Sequence, residues 1–105
     1  MAKYVFGYHG GSGMAGTEEE MAAVMAAWEA WYGQIGAALV DGGAPFGASK
    51  TVAADGSTSD GGGANPLTGY TVVQADSIDA AVAMAKGCPI LSAGGSVEVA
   101  EAVDM

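Results

Sequence analysis

The chain has no arginine. Its only cations are Lys3, Lys50 and Lys86, set against 12 acidic residues, for a net charge of −9. Contact with phosphate backbones needs a basic surface. This composition cannot supply one, which excludes nucleic acid and anionic membranes as partners. A local site would have to overcome the global field to take an anion; a neutral or cationic ligand meets no such barrier. There is one cysteine, Cys88, so an internal disulfide framework is excluded. One histidine, one cysteine and scattered acids lack the spacing of a metal site, and the reading assigns no metal and no cofactor. The longest apolar run, Met21 to Trp28, is far short of the ~20 residues that span a bilayer. The first residues do not read as basic, then apolar, then cleavable. The expectation is a cytoplasmic protein of one domain, residues 1–105.

What is present is half hydrophobic and rich in glycine, with 18 glycines gathered in connections. Tyr4-Val5-Phe6-Gly7-Tyr8 is aromatic and β-branched and predicts a strand. After a glycine-rich loop, Thr17-Glu18-Glu19-Glu20 predicts a capped helix start, with three acids at the positive end of the dipole. Met21, Val24, Met25, Trp28, Trp31, Tyr32 and Ile35 recur at three and four, so one helix face is apolar as far as about Gly36. Ala38 to Asp41 predicts a second strand, with Asp41-Gly42-Gly43 as a turn at its end. Lys50–Ala54 and Ser57–Ser59 flank Asp55-Gly56 and predict a hairpin. Tyr70 to Ala75 is a strand. A helix then starts near Asp76 or Ser77, turning Ile78, Ala81, Val82 and Ala85 inward, and ends at Gly87 and Pro89. Ser96 to Ala100 alternates as a last strand.

The order is β-α-β-hairpin-β-α-β, an α+β fold of ferredoxin-like β-α-β-β-α-β type with two helices on one face of the sheet. The other face of such a sheet needs cover. A homodimer with two sheets face to face supplies it.

The layout, with Asp41-Gly42-Gly43-Ala44-Pro45-Phe46 in the middle, Gly69-Tyr70 opening a core strand and Gly94-Gly95-Ser96-Val97-Glu98-Val99 near the end, resembles the YCII-related family, including its DGPF-domain branch. The resemblance covers nearly the whole chain and implies a dimeric α+β barrel. It also implies a histidine–aspartate pair acting in dehalogenation or related steps of aromatic degradation. Asp41 falls on the family's aspartate. The family's helical histidine has no counterpart, since the corresponding region of the first helix carries Met25.

His9, the only histidine, ends the first strand. A right-handed crossover makes strands one and two parallel, so His9 and Asp41 end at one edge of the sheet. A carboxylate beside an imidazole fixes its tautomer and suits it to acid–base work. The alternative reading is that His9 bonds backbone and Asp41 caps the Gly42-Gly43 turn. Period-two alternation puts Asp41 with Leu39, Tyr70 and Gln74 with Val72, and Ser96 and Glu98 opposite Val97 and Val99. Asp41, Tyr70, Gln74 and Glu98 then form a polar set facing away from the helices, with Ser49 or Tyr70 orienting substrate. The set serves either a small-molecule pocket or a dimer interface. Gly11-Ser12-Gly13-Met14-Ala15-Gly16 matches a dinucleotide fingerprint in form. Three glutamates at the helix start would repel a pyrophosphate there, and the chain is too short for a doubly wound sheet. Cys88 reads as a buried small hydrophobe.

These readings converge on a homodimer that binds a small organic compound. One form is a cofactor-free acid–base enzyme of lyase, isomerase or dehalogenation type, with His9 as base and Asp41 as its partner. The other is a non-catalytic ligand-binding or protein-interaction module.

Overall fold

Four antiparallel strands form the centre of the molecule in this computed structural model, which describes residues 2–11 and 17–103. In chain order the elements are β1 (Ala2–His9), α1 (Glu18–Ile35), β2 (Leu39–Pro45), β3 (Lys50–Val52), β4 (Thr58–Asp60), β5 (Leu67–Ala75), α2 (Ile78–Ala85) and β6 (Ser96–Ala102). The sheet order is β2-β5-β1-β6, and β3 and β4 form a separate two-stranded ribbon. This is the expected α+β, ferredoxin-like pattern. The Gly11–Gly16 fingerprint lies largely outside the described residues. None of the described helices is long and apolar enough to cross a membrane.

The helix starts follow their caps. Thr17 accepts a bond from the Glu20 amide at 3.1 Å, and Ser77 accepts one from Ala80 at 3.1 Å, satisfying donors that the first turn leaves open. Gly36 closes α1 with a positive φ of 60° and an amide bond to Tyr32.

Alternation along β1 decides the two sheet faces. Tyr4, Phe6 and Tyr8 are buried, and so are Thr71, Val73 and Ala75 of β5. Trp31 of α1 sits over Phe6, with ring centroids 6.0 Å apart, and Trp28 meets Tyr8 edge-on at 5.3 Å. The Trp31 indole donates to the Met84 carbonyl at 2.9 Å, tying α1 to α2. Cys88 is buried in the same core, and burial pushes its thiol pKa up.

Three expectations are corrected. Val24 and Met25 are exposed on α1, and Ile78 and Val82 are exposed on α2. Each helix therefore buries a narrower stripe than its apolar spacing suggests. The two helices cover one side of a sheet only four strands wide. The strand at Asp41 also does not end in a turn. It runs on to Pro45 through a bulge.

Gly43 makes the bulge possible. Its φ is +76°, and a Cβ there would lie 1.7 Å from the Tyr70 carbonyl oxygen. The kink turns the Gly42 carbonyl inward, where it accepts from Thr71 Oγ1 and from the Tyr32 hydroxyl, each at 3.1 Å. The Tyr8 hydroxyl donates to Thr71 Oγ1, so the polar atoms beneath α1 are paired. Burial pushes the Tyr8 and Tyr32 phenols up, Tyr8 the more strongly.

Candidate functional site on the open sheet face

The face of the sheet away from the helices carries Val5, Gly7 and His9 from β1, Tyr70, Val72 and Gln74 from β5, and Glu98 and Ala100 from β6. The registers Gly7–Tyr70, Val5–Val72, Gly7–Glu98 and Val5–Ala100 set these neighbours side by side. At the His9 end of this face lies a hollow of about 520 Å³, whose walls include His9, Glu98, Ser49, Phe46, Leu67 and Val5. Its lining is mostly apolar. The segments around β3 and β4 bring in Phe46, Ser49 and Asn65 from beyond the sheet edge.

His9 is held at both ring nitrogens. Nε2 lies 3.1 Å from Glu98 Oε1. Nδ1 lies 3.0 Å from the Asn65 carbonyl and 3.3 Å from that of Pro66. A carbonyl only accepts, so Nδ1 carries a proton. Nε2 faces the Glu98 carboxylate, so both ring nitrogens are engaged. The His9 side chain is 11% exposed and that of Glu98 is 68% exposed, which leaves the carboxylate as the solvent-facing member of the pair.

Asp41 stands elsewhere on the same face. Its carboxylate accepts from the Gly43 amide at 2.8 Å and from the Tyr70 hydroxyl at 3.3 Å. Asp41 lies across from Val72, and Val72 lies across from Val5, four positions before His9. At ~4.8 Å per strand and ~3.4 Å per residue, His9 and Asp41 are roughly 16 Å apart along the sheet. The expected pairing of His9 with Asp41 is corrected: Glu98 takes the place beside the imidazole. The parity of Asp41 with Leu39 is corrected too. The bulge shifts register between them, sending Leu39 toward the helices and Asp41 to the open face with Tyr70.

The other expected residues divide. Glu98 and Ser49 line the hollow. Tyr70 stands beside it through a stacked contact with Phe46, ring centroids 5.7 Å apart and planes inclined by 25°. Gln74 is remote from it and donates to the Ala37 carbonyl at 3.3 Å, securing the entry to β2. Phe46, Asn65 and Leu67 were not foreseen as lining residues. They lie where β2 leaves the sheet and β5 enters it, and no periodicity in sequence relates them to β1.

No family model matches the chain, and no curated protein matches it. The resemblance to the YCII-related family therefore rests on short motifs in order.

Proposed function

We propose that this protein binds a small organic molecule in the hollow beside His9 and Glu98, and that it works as a homodimer whose open sheet faces meet. The hollow carries this reading. Its volume lies within the ~300–1,000 Å³ common for small-molecule sites, and such sites are mostly apolar with a few convergent polar groups. Here those groups are the His9–Glu98 pair, Ser49 and the Asn65 backbone. The homodimer reading is supported by the surplus of exposed surface. The chain exposes 6791 Å², whereas a monomer of this mass exposes about 5,400 Å².

In the catalytic form of the reading, chemistry is cofactor-free proton transfer of lyase, isomerase or dehalogenation type, as the YCII-like motifs suggest. His9 exchanges the proton, Glu98 holds it in place, and Ser49 and Tyr70 orient the substrate, with Asp41 fixing the Tyr70 hydroxyl. One observation favours a second, non-catalytic reading. Both His9 nitrogens are engaged, Nδ1 by the Asn65 carbonyl and Nε2 by Glu98, so the ring is closed to a substrate until the Glu98 contact opens.

A fragment screen by protein NMR tests the site. The expected result is that bound fragments shift the amides of Val5, Gly7, Ser49 and Ala100, and that Ala100→Trp abolishes these shifts without unfolding the chain. Shifts confined to the helix-covered side would sink the reading. Turnover retained in His9→Ala would remove the catalytic form and leave the binding module. Light scattering at micromolar concentration should give twice the 10.3 kDa chain mass. A single-chain mass overturns the homodimer.

A further inference from the structure

The β3–β4 ribbon is closely specified and has no core of its own. Ala53 donates to the Ser57 carbonyl at 2.8 Å, and Gly56 donates to Ala53 at 2.9 Å. Asp55 accepts from the Ser57 amide at 2.9 Å and from its hydroxyl at 2.6 Å. At the root, Lys50 pairs with Asp60 at 3.3 Å, and Thr51 donates to the Gly61 carbonyl at 2.6 Å. Yet all six strand residues are exposed, Val52 to 68%. A lone two-stranded ribbon is at best marginally stable in water. This segment, with its one β-branched aliphatic residue facing solvent, packs on no surface among the described residues.

Two further observations bear on that surface. The radius of gyration is 14.9 Å and the extents are 43 × 42 × 18 Å, against about 13 Å for a compact chain of this length. The surplus surface noted above, roughly 1,400 Å² over the expected monomer, exceeds the ~800 Å² that each partner contributes to a standard interface. The ribbon also stands at the right place. It leaves the sheet after the edge strand β2 and returns to β5, and Ser49, Gly62 and Asn65 at its root line the hollow. It is therefore an arm at the rim of the face that the described residues leave uncovered.

We infer that this arm docks on a second copy of the chain and supplies the missing wall of the partner's hollow, so that each site is completed in trans. The inference rests on the homodimer reading and adds to it the element that reaches across. Two-fold symmetry makes the exchange reciprocal: each copy gives an arm and receives one. With −9 on each chain, association opposes long-range repulsion, so added salt strengthens it.

Light scattering and analytical ultracentrifugation over a concentration series test this, with the full chain and with Val52→Asp. The expected result is a wild-type dimer whose dissociation constant rises at least tenfold in Val52→Asp and falls with added salt. The far-UV circular dichroism of the two should coincide. A photo-crosslinking residue at position 52 should give an adduct of two chains. If wild type is a dimer and Val52→Asp associates equally well, the arm is not the contact, and the homodimer reading survives alone. If wild type is a monomer at all concentrations, both fall. A position-52 adduct only within one chain overturns the exchange.

Discussion

Val72 and Val73 are neighbours on β5, with the same side chain and the same backbone, in unlike surroundings. Val73 is fully buried across from Tyr4, whereas Val72 is half-buried on the open face between Val5 and Asp41. The two sheet faces differ in the same way. The helix side closes on itself through aromatic contacts and a fully paired polar network. The open side carries apolar residues that the other described residues leave half-exposed, with His9–Glu98 at one end, Gln74 at the other and the Asp41–Tyr70 pair between them. Period-two alternation built both faces alike; helices were supplied for only one. The covered face carries the packed core, and the open face carries the hollow beside His9 and Glu98.

The largest expected effect breaks the covered face. Trp31→Ala removes the ring packed on Phe6 and the bond to Met84, and should lower the unfolding free energy by about 3–5 kcal/mol in urea titration. Gly43→Ala strikes the bulge. The positive φ and the clash with the Tyr70 carbonyl should cost about 3 kcal/mol or more. Asp41 should then lose its bond to Tyr70, visible as a shift of the phenol resonances. A loss under 1 kcal/mol would mean that β2 can pair without the bulge.

The valine pair sharpens the contrast. Val73→Ala should cost roughly 1–3 kcal/mol at every protein concentration. Val72→Ala should cost under about 0.5 kcal/mol at high dilution, where surface changes are mild, and, on the homodimer proposal, more as concentration rises. Equal, concentration-independent losses would erase the distinction. The smallest effect near neutral pH concerns protons. Burial holds Tyr8, Tyr32 and Cys88 in their neutral forms in the folded state, with pKa values raised. The unfolded chain releases these protons first as pH rises. Their stabilisation is therefore complete below about pH 8 and declines above about pH 9–10, the ordinary thiol and phenol range. Thermal unfolding followed from pH 7 to pH 11 checks the sign. A midpoint that climbs with pH would contradict it.

Much of the fold was legible in sequence because its signals are local. Thr17 and Ser77 cap their own helices, Asp55-Gly56 turns its own ribbon, and Val97 and Val99 alternate with Ser96 and Glu98 within one strand. The candidate site was legible only in part. Glu98, Ser49 and His9 share the hollow, as the parity of β6 and the position of His9 allowed. The pairing of His9 with Glu98 depends on β6 lying next to β1, while β5 separates β1 from β2. Two parallel strands ending at one edge read as neighbours in a list of elements, but here they are two strand spacings apart.

Sequence alone determined the kinds of element, their order, the acidic surface and the two-faced character of each strand. These follow from periods of two and 3.6, from caps and turns, and from charge, all acting over a few residues. The tertiary structure alone decided which carboxylate meets the imidazole, which side of the bulge Asp41 faces and how little of each helix is covered. Those outcomes depend on strand order, on a register shift at Gly43 and on the width of the sheet, and each joins residues too far apart in the chain for local preference to relate them.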